Sequence, residues 1–201
     1  MSETLKLLVA GGGTGGHVFP ALAIAKEWVG RGTPDEGREV VLVGTQRGME
    51  ARLVPQAGLP LETLRVAGLK GKGGATLVKN LAMLFPAMSD AFGVLRRHRP
   101  VAAFGVGGYA AGPMQLAAWC KGIPSVIFEP NAEPGFTNRV LARLARSIAT
   151  GYESSARRLG GKGVVTGCPV RAEFFRAVVR APYRPLHMLI TGGSQGALPI
   201  N

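Results

Sequence analysis

The stretch that most constrains this chain is Gly11-Gly12-Gly13-Thr14-Gly15-Gly16-His17-Val18-Phe19-Pro20. It lies between an apolar run, Leu5 to Ala10, and the helically spaced residues Ala21 to Trp28. A buried strand, a glycine turn and the start of a helix therefore form one unit. Residues without Cβ let the turn adopt positive φ and let a ligand approach the backbone. The first N–H groups of the helix have no partner within it, and the helix dipole favours negative charge there. Phosphate or diphosphate is the expected guest.

Two sharper motifs can be tested on the same residues. A Walker loop needs Lys followed by Ser or Thr after its last glycine, and this chain has His17-Val18. The dinucleotide pattern G-x-G-x-x-G is met at Gly11, Gly13 and Gly16, but it also needs an acid at the end of the second strand. That strand, Val40 to Gly44, runs into Thr45-Gln46, which argues against a nicotinamide cofactor. A turn that serves only tight packing is the plain alternative. Against it, the chain repeats the device at Gly105 to Pro113 and at Thr191 to Ala197.

Strand and helix patterns alternate along the chain. Strands are expected at Leu61–Val66, Val101–Phe104, Ser125–Phe128, Ser147–Thr150, Val164–Thr166 and Leu186–Ile190. Helices are expected at Met49–Gln56, Ala75–Arg97 with a kink at Pro86, Met114–Lys121, Phe136–Arg146 and Tyr152–Leu159. In the longest, Leu77, Leu81, Leu84, Phe85, Met88, Phe92 and Leu95 recur at three- and four-residue steps, which reads first as a core face. An exposed patch touching lipid beside Lys70, Lys72 and Lys79 is the second reading. Such alternation specifies an α/β fold, a Rossmann-like, mostly parallel sheet with helices on both faces. Ligands bind such sheets outside the carboxyl ends of the strands. All three glycine turns fall there, as does Glu129-Pro130-Asn131.

The 201 residues are 46% hydrophobic, enough for a sizeable core, and carry a net charge of +12. That charge asks for an acidic partner: nucleic acid, an anionic membrane surface or a phosphorylated ligand. The chain lacks a zinc-ligand set, an RNP-type aromatic motif and a dense basic helix, and only 6% of it is aromatic. No nucleic acid is therefore expected. No signal peptide is read at the N-terminus, and no apolar run approaches the ~20 residues that span a bilayer. A cytosolic or peripheral protein is expected. Cys120 and Cys168 lack C-x-x-C spacing and read first as buried thiols, with a disulfide between them as the alternative.

Taken together, these residues resemble one family, the bacterial N-acetylglucosaminyltransferases of peptidoglycan synthesis (MurG), two-domain enzymes of the GT-B type. The resemblance is carried by Gly12 to Pro20, Gly68-Leu69-Lys70-Gly71-Lys72-Gly73, Gly107-Gly108-Tyr109 with Gly112-Pro113, Leu116-Ala117-Ala118-Trp119, Thr137-Asn138-Arg139, Pro169-Val170-Arg171 and Gly192 to Ala197. It implies the N-terminal half of a GT-B fold. The implied reaction is inverting transfer of GlcNAc from UDP-GlcNAc to the muramyl sugar of an undecaprenyl-diphosphate lipid, without cofactor or essential metal. The implied location is peripheral, on the cytoplasmic face of the membrane with its anionic surface.

By the same resemblance Thr14, Gly15, Gly16, Asn131, Arg171 and Ser194 are donor-binding positions, and the glycine loops with Gly13, Gly107, Gly108 and Tyr109 face the acceptor diphosphate. Transfer to a hydroxyl needs a base. His17 is one candidate, because a helix N-terminus disfavours its charged form. A structural hydrogen bond within the turn is the alternative role. Glu129 is the other candidate, with an ion pair to an arginine as its alternative. Arg171, if it reaches the cleft, would offset charge on the departing UDP. The chain departs from the family at Phe128, Pro130 and Cys168, where His, Gln and Asn are usual.

Residues 1–166 are expected to form the acceptor-side domain, and 167–201 a linker with the first strand and turn of a donor domain. A chain of this extent is expected to bind UDP-GlcNAc poorly and to turn over little. A non-catalytic, membrane-associated module that holds the lipid-diphosphate acceptor is the alternative function.

Overall fold

The computed structural model describes residues 4–66, 84–160 and 162–170. The compact unit that holds nearly all of them ends at Pro169. Among the described residues its seven strands are β1 (Thr4–Gly11), β2 (Gly37–Gly44), β3 (Leu61–Thr63), β4 (Ala102–Gly107), β5 (Ser125–Glu129), β6 (Ser147–Thr150) and β7 (Gly163–Val165). Every pairing is parallel, and the order across the sheet is β3-β2-β1-β4-β5-β6-β7. The described helices are α1 (Gly15–Gly30), α2 (Glu50–Gln56), α3 (Leu84–His98), α4 (Ala111–Cys120), α5 (Phe136–Leu141) and α6 (Glu153–Arg158).

The apolar run of β1 is continuous because both faces of that strand are covered. Leu7 and Val9 pack with Ala21 and Ala25 of α1 and Val54 of α2. Leu8 and Ala10 face the other way, onto Ala91, Val94 and Leu95 of α3 and Met114 and Ala117 of α4. A smaller cluster of Ile127, Leu141, Ile148 and Leu159 closes the β5–β6 end. From β1 the chain builds outward to β3, then returns to place β4 on the other side of β1. The strand order reverses between β1 and β4, so the crevice expected of such sheets opens at their carboxyl ends.

Several boundaries differ from the sequence expectation. Helix α1 begins at Gly15, six residues before Ala21: Thr14 keeps extended backbone (φ −124°, ψ 160°) and its carbonyl accepts the N–H groups of His17 and Val18. Strand β4 runs on through Gly105 to Gly107, because a residue without Cβ at 105 makes room for Gln115, whose Nε2 would lie 2.7 Å from an added Cβ. Strand β3 stops at Thr63. Helix α5 ends at Leu141, since the Arg146 N–H is drawn to the Ser125 carbonyl at the start of β5.

The apolar stripe of α3 is a core face only in its C-terminal part: Leu95 is buried, and Met88 and Phe92 pack against the same cluster. Ala87, Ala91, Val94 and Leu95 are buried, whereas Leu84 and Phe85 are 43% and 81% exposed. Small residues allow the start of α3 to approach the sheet closely, and Leu84 and Phe85 are left outside. Cys120 and Cys168, expected to be buried, are both free and exposed. Residues 67–83 and 171–201 lie outside the described residues. With them lie the basic loop, Lys70, Lys72, Lys79, the N-terminal part of the 75–97 run, the expected strand Leu186–Ile190 and the third glycine turn.

Candidate functional site

The first two glycine turns meet at the crevice. The ends of β1 and β4 are in register as Gly11 opposite Gly107, after a shift in pairing between Ala10 and Gly11. Gly13, Gly107 and Gly108 have φ of +90°, +94° and +84°. A Cβ on Gly108 would lie 2.3 Å from the Gly12 carbonyl oxygen, and one on Gly11 would lie 2.1 Å from Val106 Cγ2. At Gly108 backbone thus packs directly on backbone, and at Gly11 a side chain fills the space of a Cβ, both of which glycine permits.

His17, on the first turn of α1, lays its ring over Gly107: a Cβ there would be 2.8 Å from both Cδ2 and Nε2. Its Nδ1 is 3.3 Å from Thr14 Oγ1. Burial pushes the His17 pKa below the ordinary 6.5, and this outweighs the opposing influence of Glu129, the Gly12 backbone and Glu50. The ring is therefore neutral at pH 7 and able to accept a proton.

Two carboxylates underlie these turns. Glu50, at the start of α2 and 1% exposed, accepts hydrogen bonds from Gly13 N–H (2.7 Å), Thr45 N–H (2.8 Å) and Thr45 Oγ1–H (2.8 Å). Glu129, at the end of β5 and also 1% exposed, is satisfied by its own loop. Its Oε1 accepts from Asn131 N–H (2.9 Å) and Nδ2 (2.8 Å), and its Oε2 from Gly135 N–H (2.9 Å) and Asn138 Nδ2 (2.9 Å). Each oxygen of Glu129 thus holds two donors.

Beside the second turn lies an apolar cavity of about 290 Å³, lined by Gly108, Tyr109, Pro113, Leu116, Phe136, Val140 and Leu144, with Val66 and Leu84 at its rim. Tyr109 and Phe136 are 40% and 78% exposed there. Among the described residues no group of His, Cys, Asp and Glu has the arrangement of a metal site.

Comparison with known proteins meets this geometry. Residues 7–150, most of the described sheet with both joined turns, match the family model for the glycosyltransferase family 28 N-terminal domain. The chain belongs to glycosyltransferase family 28. It is 47% identical over 202 residues to the UDP-N-acetylglucosamine--N-acetylmuramyl-(pentapeptide) pyrophosphoryl-undecaprenol N-acetylglucosamine transferase of Anaeromyxobacter sp. (strain Fw109-5), covering 98% of this chain and 52% of that one. It is also 47% identical to the protein of the same name from Alkalilimnicola ehrlichii, of which it covers 55%. The crystal structure of Acinetobacter baumannii MurG superposes with a TM-score of 0.66 at 34% identity, over 89% of this chain and 50% of that one. The chain spans about half the length of the curated relatives it matches, and its fold is the Rossmann-like half of a GT-B glycosyltransferase.

Within this family 28 domain, Gly13, Thr14, Gly15, Gly16, His17, Gly107 and Gly108 come together at one crevice, and Tyr109 stands at its edge. Asn131 lies at the end of β5 and is engaged by Glu129 rather than free in the cleft. Arg171 and Ser194 lie outside the described residues. The ion pair expected for Glu129 is absent from the described residues; backbone and asparagine amides take the place of an arginine. Three residues went unassigned from sequence. Asn138 bonds Glu129 from a recognised motif, while Glu50 and Thr45 left only a faint signal: an acid and a hydroxyl close to Gly44 and Gly48.

Proposed function

We propose that this domain is the acceptor-side half of an inverting hexosyltransferase, transferring GlcNAc from UDP-GlcNAc to the muramyl sugar of an undecaprenyl-diphosphate-linked MurNAc-pentapeptide in peptidoglycan synthesis. The names of its family 28 relatives supply the substrates. The observation that carries the residue roles is the neutral His17 ring held between two joined glycine turns at the switch point of the sheet.

His17 takes the proton of the acceptor hydroxyl as the new glycosidic bond forms and UDP departs from the opposite face, which inverts the anomeric centre. Glu129 is a scaffold rather than the base, because accepting a proton would cost its loop the bonds that both oxygens already hold. The N–H groups of Gly15 and Gly16 precede the first i→i−4 bond of α1, from Val18 to Thr14, and are offered to phosphate oxygens together with the helix dipole. The turn at Gly107-Gly108-Tyr109 opens onto the apolar cavity, which suits a diphosphate followed by a polyprenyl chain. Thr14, Asn131, Arg171 and Ser194 are assigned to the donor, and 167–201 to the start of the donor-side domain. The compact unit's end at Pro169 supports that division.

A peripheral position at the cytoplasmic membrane face follows from the same substrates. No helix among the described residues is long and apolar enough to cross a membrane. Exposed Leu84 and Phe85, with a groove of Arg96, Arg99 and Lys121 farther along α3 and α4, suit an anionic lipid surface.

The test is transfer of labelled GlcNAc from UDP-GlcNAc to the lipid-linked acceptor, with release of UDP, by a transferase carrying these residues. His17→Gln should lower kcat by roughly 10²-fold or more with KM little changed, the scale of a lost general base. Unchanged turnover would remove His17 from the reaction. Acceptor binding with no transfer under any condition would favour the non-catalytic module.

A further inference from the structure

The buried carboxylate beneath the first turn has no part in the mechanism above, yet its surroundings are built to hold it. A Cβ on Gly12, Gly44 or Gly48 would lie 2.2, 2.4 or 2.1 Å from an atom of the Glu50 side chain. Three positions, one in the first turn, one at the end of β2 and one in the loop after it, must therefore be glycine for the carboxylate to fit as it does. Its donors are two backbone N–H groups and one hydroxyl, all uncharged. Burying a carboxylate is costly unless it is well hydrogen-bonded, so the three bonds act together to fix the geometry of whatever supplies them.

We propose that Glu50 is a positioning residue for the transfer reaction: by capturing the Gly13 N–H it locks the first glycine turn, and through that turn it fixes the His17 ring over Gly107. Gly13 stands at φ +90° with no atom within 4 Å of a would-be Cβ, so packing does not impose that conformation. The 2.7 Å bond to Glu50 does. The next residue, Thr14, caps α1 with its carbonyl and places Oγ1 against His17 Nδ1. Because Glu50 takes the Gly13 N–H, the turn offers its ligand the N–H groups of Gly15 and Gly16 instead. The carboxylate charge also favours the proton on His17, as does Glu129 from the end of β5, each against the effect of burial.

This inference rests on the role given to His17, but its test needs no substrate. The isotopically labelled 201-residue chain is compared with Glu50→Gln by NMR, and circular dichroism verifies folding. Gln keeps the volume but presents only one acceptor oxygen, so the Gly13 amide proton should move upfield. The His17 ring should titrate at a lower midpoint. Thr45→Val, at a half-buried position, leaves the carboxylate with one donor fewer. It should move the Gly13 amide in the same direction by a smaller amount, and it decides the matter if Glu50→Gln does not fold. A folded Glu50→Gln chain with wild-type Gly13 and His17 signals overturns the proposal, as does a Gly13 amide indifferent to Thr45→Val. Failure here leaves the transferase reading intact, and absence of transfer leaves this coupling intact.

Discussion

Glu50 and Glu129 are two solutions to one problem, a carboxylate buried at the ligand-facing edge of a parallel sheet. Both are 1% exposed, and neither takes part in any ion pair among the described residues. They differ in reach. The donors to Glu129 come from two, six and nine residues along the chain, so it folds its own loop. Glu50 binds Gly13, 37 residues away, and so joins two strand ends. A local ring of donors can fail without disturbing its neighbours, whereas a long-range one transmits its failure to the site.

The largest expected effect comes from removing the local anchor. Glu129→Ala leaves the Asn138 amide and the Gly135 and Asn131 N–H groups without their charged acceptor. We expect a loss on the order of 3 kcal/mol, read as a lower urea midpoint. The backbone of 130–138 should change in NMR while the Gly13 and Thr14 amides stay in place. If those amides move as far as they do in Glu50→Gln, the distinction between the carboxylates is broken.

The join between the turns is tested next. Gly108→Ala combines φ +84° with a Cβ that would sit 2.3 Å from the Gly12 carbonyl. We expect a loss of roughly 2–3 kcal/mol and displaced Gly12 and Gly13 amides. Gly122→Ala has a similar φ of +69° but nothing within 4 Å. It isolates the backbone term, about 1 kcal/mol, and should leave the site untouched. Equal losses at the two positions would mean that the turns are not pressed together.

Most of the fold was legible because parallel strands buried on both faces leave continuous apolar runs: Leu5 to Ala10, Val40 to Val43 and Ser125 to Phe128 all mark strands that formed. The glycine turns were legible for the same reason, since their residue type is dictated by backbone geometry. What was hidden depended on contacts between distant segments. Nothing near Glu50 in sequence says that Gly13 will lie over it. Phe85 matches a helical stripe, yet it faces out because Ala87 and Ala91 let α3 close on the sheet. Glu129 was legible as a polar residue at a strand end, but among the described residues four amide donors hold it and no arginine does.

The smallest expected effect is on pH dependence, and it separates the carboxylates by charge rather than by reach. Burial, working against Glu129, the Gly12 backbone and Glu50, puts the folded pKa of His17 below 6.5. The unfolded chain therefore takes up this proton first as the pH falls through 6.5, so stability declines from there until the folded ring also protonates. Above 6.5 the term is absent. We expect that decline to be flattened in His17→Gln, read from urea midpoints at successive pH values. A second decline begins lower. The Glu62 carboxyl is raised by burial but pulled further down by hydrogen bonds from His98 and Arg97, and Asp90 is lowered chiefly by its hydrogen bond from Arg65. Their stabilisation is complete above the ordinary values of 4.5 and 3.8 and is lost as pH falls through the lower folded ones. Of the two charges opposing burial at His17, that of Glu129 is the stronger. Glu129→Gln should therefore lower the His17 midpoint more than Glu50→Gln does, although only the latter moves the Gly13 amide. The opposite order would mean that the local carboxylate, not the long-range one, governs the shape of the first turn.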